Sequence, residues 1–279
     1  MRIDGKRAIV TGASSGIGRA IAISLASRGA ALTLAARRRD RLETVAREIA
    51  ERFPSAQVPA VAPCDVSDPA QVSALIGGAI ERFGDVDVLV NNAGRSVFGE
   101  EKRTSLDDYR ALMAVNFYGA LFCMREVLPF MLRRESGLIV NVATTAALYG
   151  VPYLAAYGAS KAALVALSQS LRAELDGTGV RVMLVYPGYT DTEIFEVEKR
   201  VGGARRPPGT YASAESVANA VVRGIESGGR DVFLTARGKA LNALRGLAPF
   251  VVDHAMRRIA RELKDGSEPR EAARTRGTP

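Results

Sequence analysis

The 279-residue chain contains no tryptophan, a single histidine (His254) and two cysteines (Cys64 and Cys123). The cysteines are far apart and form no Cys-x-x-Cys pair. That disfavours both a disulfide framework and a zinc site, and favours a reducing, cytoplasmic compartment. Long apolar runs are also missing: no stretch approaches the ~18 residues of a membrane span. The opening segment, MRIDGKRAIVTG, runs straight into a strand-like pattern, so no signal peptide is expected. Acidic side chains are outnumbered, 30 against 38 basic ones, for a net charge of +8. The surplus is local. From Arg237 onward there are ten basic and five acidic residues, which accounts for +5 of the +8. No RNA-binding aromatic motif, helix-turn-helix or zinc finger accompanies this basic tail, so a nucleic-acid partner is not expected.

Hydrophobic residues make up 47% of the chain, enough for one large domain or two small ones. Short apolar runs at 6–11, 31–36, 57–62, 86–90, 137–143, 179–186 and 231–235 read as strands. Amphipathic segments at 19–28, 40–53, 69–83, 106–134, 153–174 and 214–227 read as helices between them, the long one broken at Gly119. This alternation predicts an α/β fold with an open, doubly wound, mainly parallel sheet of seven strands and helices on both faces. Ligands of such sheets bind beyond the carboxyl ends of the strands.

The chemistry-bearing motifs fall at those ends. Gly12-Ala13-Ser14-Ser15-Gly16-Ile17-Gly18 sits between the first strand and the first helix. Glycines there permit a tight turn and close approach of a pyrophosphate, which the helix N-terminus attracts. The second strand ends at Ala36, where an acid would bind a ribose 2′-hydroxyl; Arg37, Arg38 and Arg39 follow instead. Guanidinium groups suit a 2′-phosphate, favouring NADP(H) over NAD(H). Asp65 ends the third strand, Asn91-Asn92-Ala93-Gly94 the fourth, Thr144-Thr145 the fifth and Pro187-Gly188-Tyr189-Thr190-Asp191-Thr192 the sixth. Asn116 lies in an apolar helix, where a buried amide needs partners. It either caps a kink or orients groups in a site.

Tyr157 and Lys161 share one helix face at a spacing of four. A phenol titrates near ~10 in water. An ammonium ~4 Å away, at an effective dielectric of ~20, is worth about 4 kcal/mol, roughly three pH units. The spacing therefore predicts a phenol brought toward neutrality, where a general acid/base works best.

Together TGASSGIG (11–18), NNAG (91–94), Asn116, YGASK (157–161) and PGYTDT (187–192) resemble, in order, the motifs of the compact short-chain dehydrogenases/reductases. The resemblance covers about residues 5–235 and implies a Rossmann-like fold, a homodimer or homotetramer, and carbonyl/alcohol interconversion on a small, apolar substrate. It implies that Gly12, Ser14, Ile17 and Gly18 hold pyrophosphate and ribose, Arg37 the 2′-phosphate, and Asp65 and Val66 the adenine. Asn92 and Ala93 would line the ribose, Thr190 and Thr192 the carboxamide. Ser15, Gly16, Arg38, Gly94, Tyr157, Pro187 and Gly188 complete the implied cofactor contacts. The implied catalytic set is Asn116, Thr144, Tyr157 and Lys161. Lys161 binds ribose hydroxyls as well, and Asn116 relays protons through a water. Thr144 stands where the family usually has serine, which keeps the hydroxyl and adds a stiffening methyl; Thr145 is the nearby substitute. Val97, Phe98, Val151, Tyr153 and Tyr189 are the candidate substrate contacts, with 193–212 as a mobile flap.

Residues 1–236 then form the catalytic domain, 237–264 its amphipathic helical extension and 265–279 a frayed tail. Within 241–263, Leu244, Leu247, Val251, Met256, Ile259 and Leu263 recur with helical period, interrupted at Pro249. This helix either packs on the core or a second subunit, or lies on a membrane or over the substrate. Two other functional readings exist. A non-catalytic NADP(H)-binding regulator has no need of the four-residue catalytic set. A hydrolase using Ser14 in Gly12-x-Ser14-x-Gly16 needs His254 as its base and an upstream strand for its oxyanion hole.

Overall fold

The structure, a computed structural model, describes residues 1–194, 198–203 and 211–264. Its centre is a parallel sheet. Strands β1 (Arg7–Thr11), β2 (Ala31–Ala36), β3 (Ala60–Pro63) and β4 (Val88–Asn91) come first, followed outside the sheet by the short β5 (Val97–Gly99). Strands β6 (Gly137–Val142) and β7 (Val180–Tyr186) return to it; β8 (Thr190–Asp191), β9 (Lys199–Val201) and β10 (Ala212–Ser213) lie outside, and β11 (Asp231–Phe233) completes it. The order is β11-β7-β6-β4-β1-β2-β3, seven strands among the described residues, with every neighbouring pair parallel.

Alternate residues of each strand feed two separate layers, as the strand period of two requires. Val10, Leu34, Val90 and Val140 point to α1 (Gly16–Ala26), α2 (Arg39–Arg52) and α7 (Ala214–Ser227), meeting Ile21, Leu42, Ile49 and Val221. Ile9, Leu89 and Ile139 point the other way, to α3 (Pro69–Phe83) and α5 (Gly119–Arg133), meeting Ile76, Cys123, Met124 and Val127. Between them in sequence, α4 (Leu106–Met113) and α6 (Ala155–Glu174) flank the site. Burial on both faces explains why the strands read as unbroken apolar runs.

Capping chemistry sets the helix limits. Asp68 accepts hydrogen bonds from the Ala70 and Gln71 amides ahead of α3, Pro69 occupies its first turn, and Gly84 ends it in the left-handed region (φ +82°). Ser105 and Asp108 form a reciprocal capping box on α4. Below the sheet, nearly buried Asp87 takes two hydrogen bonds from the Arg7 side chain (2.7 and 3.1 Å) and another from Arg134 (3.2 Å).

Several expectations shift. The first helix begins at Gly16, not Arg19, so the glycine turn itself supplies the helix N-terminus. The expected long helix is divided before Gly119 by a π turn, Ala114–Tyr118, with Asn116 inside it. The continuous helical stretch Leu106–Arg133 is, with a mean hydropathy of 1.3, long and apolar enough to cross a membrane by composition. In this fold Cys123, Met124, Val127 and Met131 bury its apolar face in the core. The expected flap at 193–212 is only partly described. Residues 198–203 are pinned: β9 pairs with β5, and Lys199 donates to both carboxylate oxygens of Asp108 (2.9 and 2.8 Å). Residues 195–197, 204–210 and the tail 265–279 lie outside the described residues.

The C-terminal helix is two helices, α8 (Ala236–Leu247) and α9 (Pro249–Leu263). Pro249 opens the second, where its missing N–H costs nothing.

Candidate active site

Strand order reverses between β1 and β4, and a cleft of about 490 Å³ opens over their carboxyl ends. Thr11 ties the two strand ends together. Its hydroxyl donates to the Val90 carbonyl (3.2 Å) and accepts from the Asn92 and Ala93 amides (3.0 and 3.1 Å). The Asn92 side chain donates back to the carbonyls of Thr11 (3.0 Å) and Gly12 (3.4 Å).

This stitching makes the glycine turn obligatory. A Cβ on Gly12 (φ +67°) would come within 2.8 Å of the Ala93 Cα, and one on Gly18 within 2.2 Å of the Gly12 carbonyl oxygen. Ser15 caps α1 without a side-chain hydrogen bond, so the first-turn amides of α1 keep no side-chain acceptor. Free amides, a glycine cradle and the helix dipole fit a pyrophosphate.

At the end of β2, Arg37 and Arg38 are exposed, and the Arg38 guanidinium donates to the hydroxyls of Ser14 (3.3 Å) and Ser15 (3.5 Å). Glu193 closes on the same corner, pairing with Arg38 at 3.8 Å and with Arg41. Asp65 is held below the usual carboxylate range by hydrogen bonds from Ser67, despite partial burial.

The acid–base groups meet at the other end. Gly158 lets α6 approach the turn after β6, since a Cβ there would lie 3.0 Å from the Ala146 carbonyl oxygen. That approach sets Tyr157 against Thr144. The Thr144 hydroxyl donates to the Pro187 carbonyl (3.3 Å) and accepts from the Ala146 amide (3.2 Å). Lys161, only 4% exposed, donates its Nζ to the Val142 carbonyl at 2.8 Å.

The electrostatics correct the expectation from spacing. Burial pushes the Tyr157 phenol up to about 12; the Thr144 hydrogen bond pulls against this and the Glu198 charge adds to it. Burial also brings Lys161 down to about 8. Desolvation penalises the charged form of both groups and is the largest influence on each.

Asn116 is held by its own set of partners. Its Oδ1 accepts from the Arg95 amide (2.9 Å), and its Nδ2 donates to the Arg95 carbonyl (3.0 Å) and Ser160 hydroxyl (2.9 Å). Among the described residues no hydrogen bond joins it to Lys161. The two meet across Gly94, whose Cβ would lie 3.2 Å from Asn116 Oδ1 and 3.5 Å from Lys161 Nζ. The amide therefore shapes the floor from behind the cleft.

Gly12, Ser14, Ser15, Gly16, Ile17, Arg37, Arg38, Asp65, Val66, Asn92, Ala93, Gly94, Thr144, Val151, Tyr157, Lys161, Pro187, Gly188, Tyr189, Thr190 and Thr192 all line the cleft, as does Phe98. Gly18, Asn116, Val97 and Tyr153 do not. Gly18 packs helix on turn, and Val97 is buried against Leu112 and Ala156. Tyr153 adopts a left-handed backbone (φ +65°) that turns its phenol outward, to the Ala260 carbonyl of α9 at 3.1 Å.

Glu193, Ile194 and Glu198, from the expected flap, also line the cleft, as do Arg95 and Ser96, which carried no sequence signal. Ser96 donates to Glu198 at 2.6 Å. A hydrolase triad is not assembled among the described residues: Ser14 faces Arg38, whereas His254 is exposed on α9.

The short chain dehydrogenase family profile matches residues 6–200. The chain is 34% identical over 269 residues to a "Dehydrogenase/reductase SDR family protein 7-like" of Anopheles gambiae, covering 94% of this chain and 85% of that one. A short chain dehydrogenase/reductase from Burkholderia phymatum, solved in complex with NAD, superposes with a TM-score of 0.80 at 30% identity, over 90% of this chain and 96% of the other. One from Burkholderia cenocepacia, solved with NADP, gives 0.77 at 28% identity, over 92% and 99%. The chain belongs to the short-chain dehydrogenase/reductase family of oxidoreductases, with the Rossmann-like fold that binds a nicotinamide cofactor.

Proposed function

We propose that this protein is an NADP(H)-dependent reductase of an apolar carbonyl compound, working in reverse as an alcohol dehydrogenase. The observation that carries the reading is the meeting of Tyr157, Thr144 and Lys161 in the cleft whose other end holds the glycine turn and Arg37. The nicotinamide, when bound, supplies or accepts the hydride. Tyr157 gives its proton to the carbonyl oxygen in reduction and takes one back in oxidation. Thr144 turns its hydroxyl from the Pro187 carbonyl to donate a hydrogen bond to that oxygen. Lys161 holds positive charge beside the phenolate that proton transfer creates, which a buried site otherwise penalises.

The cofactor preference follows from the end of β2, where Ala36 stands in place of an acid and Arg37 and Arg38 offer a 2′-phosphate two guanidinium groups. Phe98, Val151, Leu154, Tyr189 and Ile194 wall the remaining space, so the substrate is largely apolar. The test is oxidation of NADPH and of NADH against a panel of ketones, aldehydes, steroids and acyl ketones. Turnover with NADPH, lost in Tyr157→Phe, supports the reading. Tight NADPH binding with no turnover of any carbonyl would instead favour a non-catalytic regulator.

A further inference from the structure

Eight large hydrophobic residues are exposed among the described residues, and four of them fall in one short stretch: Leu244, Leu247, Phe250 and Val251. Leu247 is 85% exposed and Phe250 69%. They flank Ala248, the one-residue joint between α8 and α9, so the apolar patch is the corner where the two helices meet, the tip of this helix pair. Isolated exposed apolar residues are ordinary; a cluster at a projecting corner marks a docking surface.

The charge around the tip says what docks. Residues 236–264 carry seven basic side chains (Arg237, Lys239, Arg245, Arg257, Arg258, Arg261 and Lys264) and two acidic ones (Asp253 and Glu262), a net +5. Arg257 and Arg261 are exposed on α9 within about 20° of Phe250 around the helix, while Arg258 lies about 80° away and pairs with Glu262 at 2.8 Å. Arg257 stands about 10 Å along the helix axis from Phe250, at 1.5 Å per residue. Interfacial helices bury their apolar part ~5–10 Å below the headgroups. Tip insertion would therefore bring the Arg257 guanidinium to the phosphate level, with Arg261 about one turn further out. A second copy of the chain fits less well, because a two-fold contact apposes the patch to itself and sets +5 against +5.

We propose that the α8–α9 helix pair docks the protein on an anionic lipid bilayer, with Leu247, Phe250 and Val251 inserted and Arg257 and Arg261 on lipid phosphates. The inner side of α9 gives the contact a consequence. Ile259 and Leu263 pack with Phe98, Leu154, Tyr157 and Tyr189, so the membrane-facing helix also backs the substrate end of the cleft.

The test uses the full-length protein and requires no turnover, so its outcome is separate from that of the proposed activity. Co-sedimentation is measured with phosphatidylcholine vesicles and with vesicles containing one-third phosphatidylglycerol. The expected result is binding to the anionic vesicles only, weakened at least tenfold in Leu247→Asp/Phe250→Asp. In Arg257→Gln/Arg261→Gln the expected loss is about fivefold per arginine. Thermal melts establish that both variants are folded; both substitutions lie on exposed positions. Absence of wild-type binding overturns the proposal, as does binding that the variants leave unchanged. A double-Asp variant that changes oligomeric state but not sedimentation also overturns it, assigning the patch to a second copy.

Discussion

Glu193 pairs with Arg38 at 3.8 Å, across the corner of the cleft where β2 ends. The carboxylate therefore competes for a guanidinium assigned to the 2′-phosphate. Both partners are about two-fifths exposed, and ion pairs of this kind are worth about 0.2–1 kcal/mol. Glu193→Gln is expected to tighten NADPH binding by about two- to fivefold and to leave NADH unchanged. Arg37→Ala/Arg38→Ala is expected to weaken NADPH by about ten- to a hundredfold, again with little effect on NADH. Titration of cofactor fluorescence reads both; equal effects on the two cofactors would refute the 2′-phosphate assignment.

Lys161 predicts the pH profile of reduction. Its ammonium is present below about pH 8 and lost above it, while Tyr157, pushed up to about 12, remains a proton donor throughout. The kcat/KM for reduction should be flat below pH 8 and fall by up to tenfold per unit above it. A profile that stays flat to pH 10 would remove Lys161 from the acid–base pair.

The same lysine carries a stability cost. Its folded value lies below the ordinary 10.5, so the unfolded chain holds a proton that the native state sheds between about pH 8 and 10.5. Stability rises with pH across that window, and the full penalty, about 3 kcal/mol, applies below it. Lys161→Met removes the penalty but leaves the Val142 carbonyl without its donor, costing about 1 kcal/mol. The expected net gain is about 2 kcal/mol, or roughly 3–4 °C in Tm for a chain of this size, with activity abolished. A lower Tm would contradict the buried-charge account.

Asp87 works in the opposite sense. Burial pushes its carboxyl upward, but hydrogen bonds and charge from Arg7, with Lys6 nearby, more than offset this and hold it at about 2. Its contribution, about 2 kcal/mol, is fully present above about pH 4 and lost as pH falls toward 2. Asp87→Asn should lower stability by about 2–4 kcal/mol at neutral pH and flatten the acid limb of urea-unfolding midpoints against pH. An unchanged acid limb would point to other carboxylates.

Thr144 is tested by its hydroxyl. Thr144→Ser should keep activity within severalfold, whereas Thr144→Ala should lose about 10²–10³-fold in kcat, the usual effect of removing a donor to a reacting oxygen. If neither substitution matters, Thr145 or a backbone amide holds the carbonyl.

The parts legible in the sequence are those whose signal is local. Ile9, Leu89 and Ile139 are buried on a two-sided sheet, so their strands read as apolar runs, and the ligand-binding ends followed from chain direction alone. Gly12 and Gly18 were legible because no side chain fits beside Ala93 and the Gly12 carbonyl. What escaped depends on distant segments meeting. Glu198 reaches the cleft through Ser96, and β9 finds β5, across about a hundred residues of chain. Tyr153 sat among the pocket candidates by position, but its left-handed backbone directs it to Ala260. The Tyr157 shift runs opposite to the spacing argument for a related reason. Spacing reveals a neighbouring charge, whereas desolvation depends on everything else packed around the phenol.

The π turn Ala114–Tyr118 makes this chain sensitive to length at a place where residue identity alone would not show it. One extra residue wound into a turn rotates the helix beyond it by about 100°. With that rotation, Gly119 meets Val66, where a Cβ would come within 2.6 Å. Asn116 meets Arg95 and Ser160 within the same turn. Deleting a single residue from 114–118 would leave an unbroken helix of good propensity whose later side chains all face the wrong way. The defect would be one of phase, felt at once by the amide behind the cleft and by Cys123, Met124 and Val127 in the core.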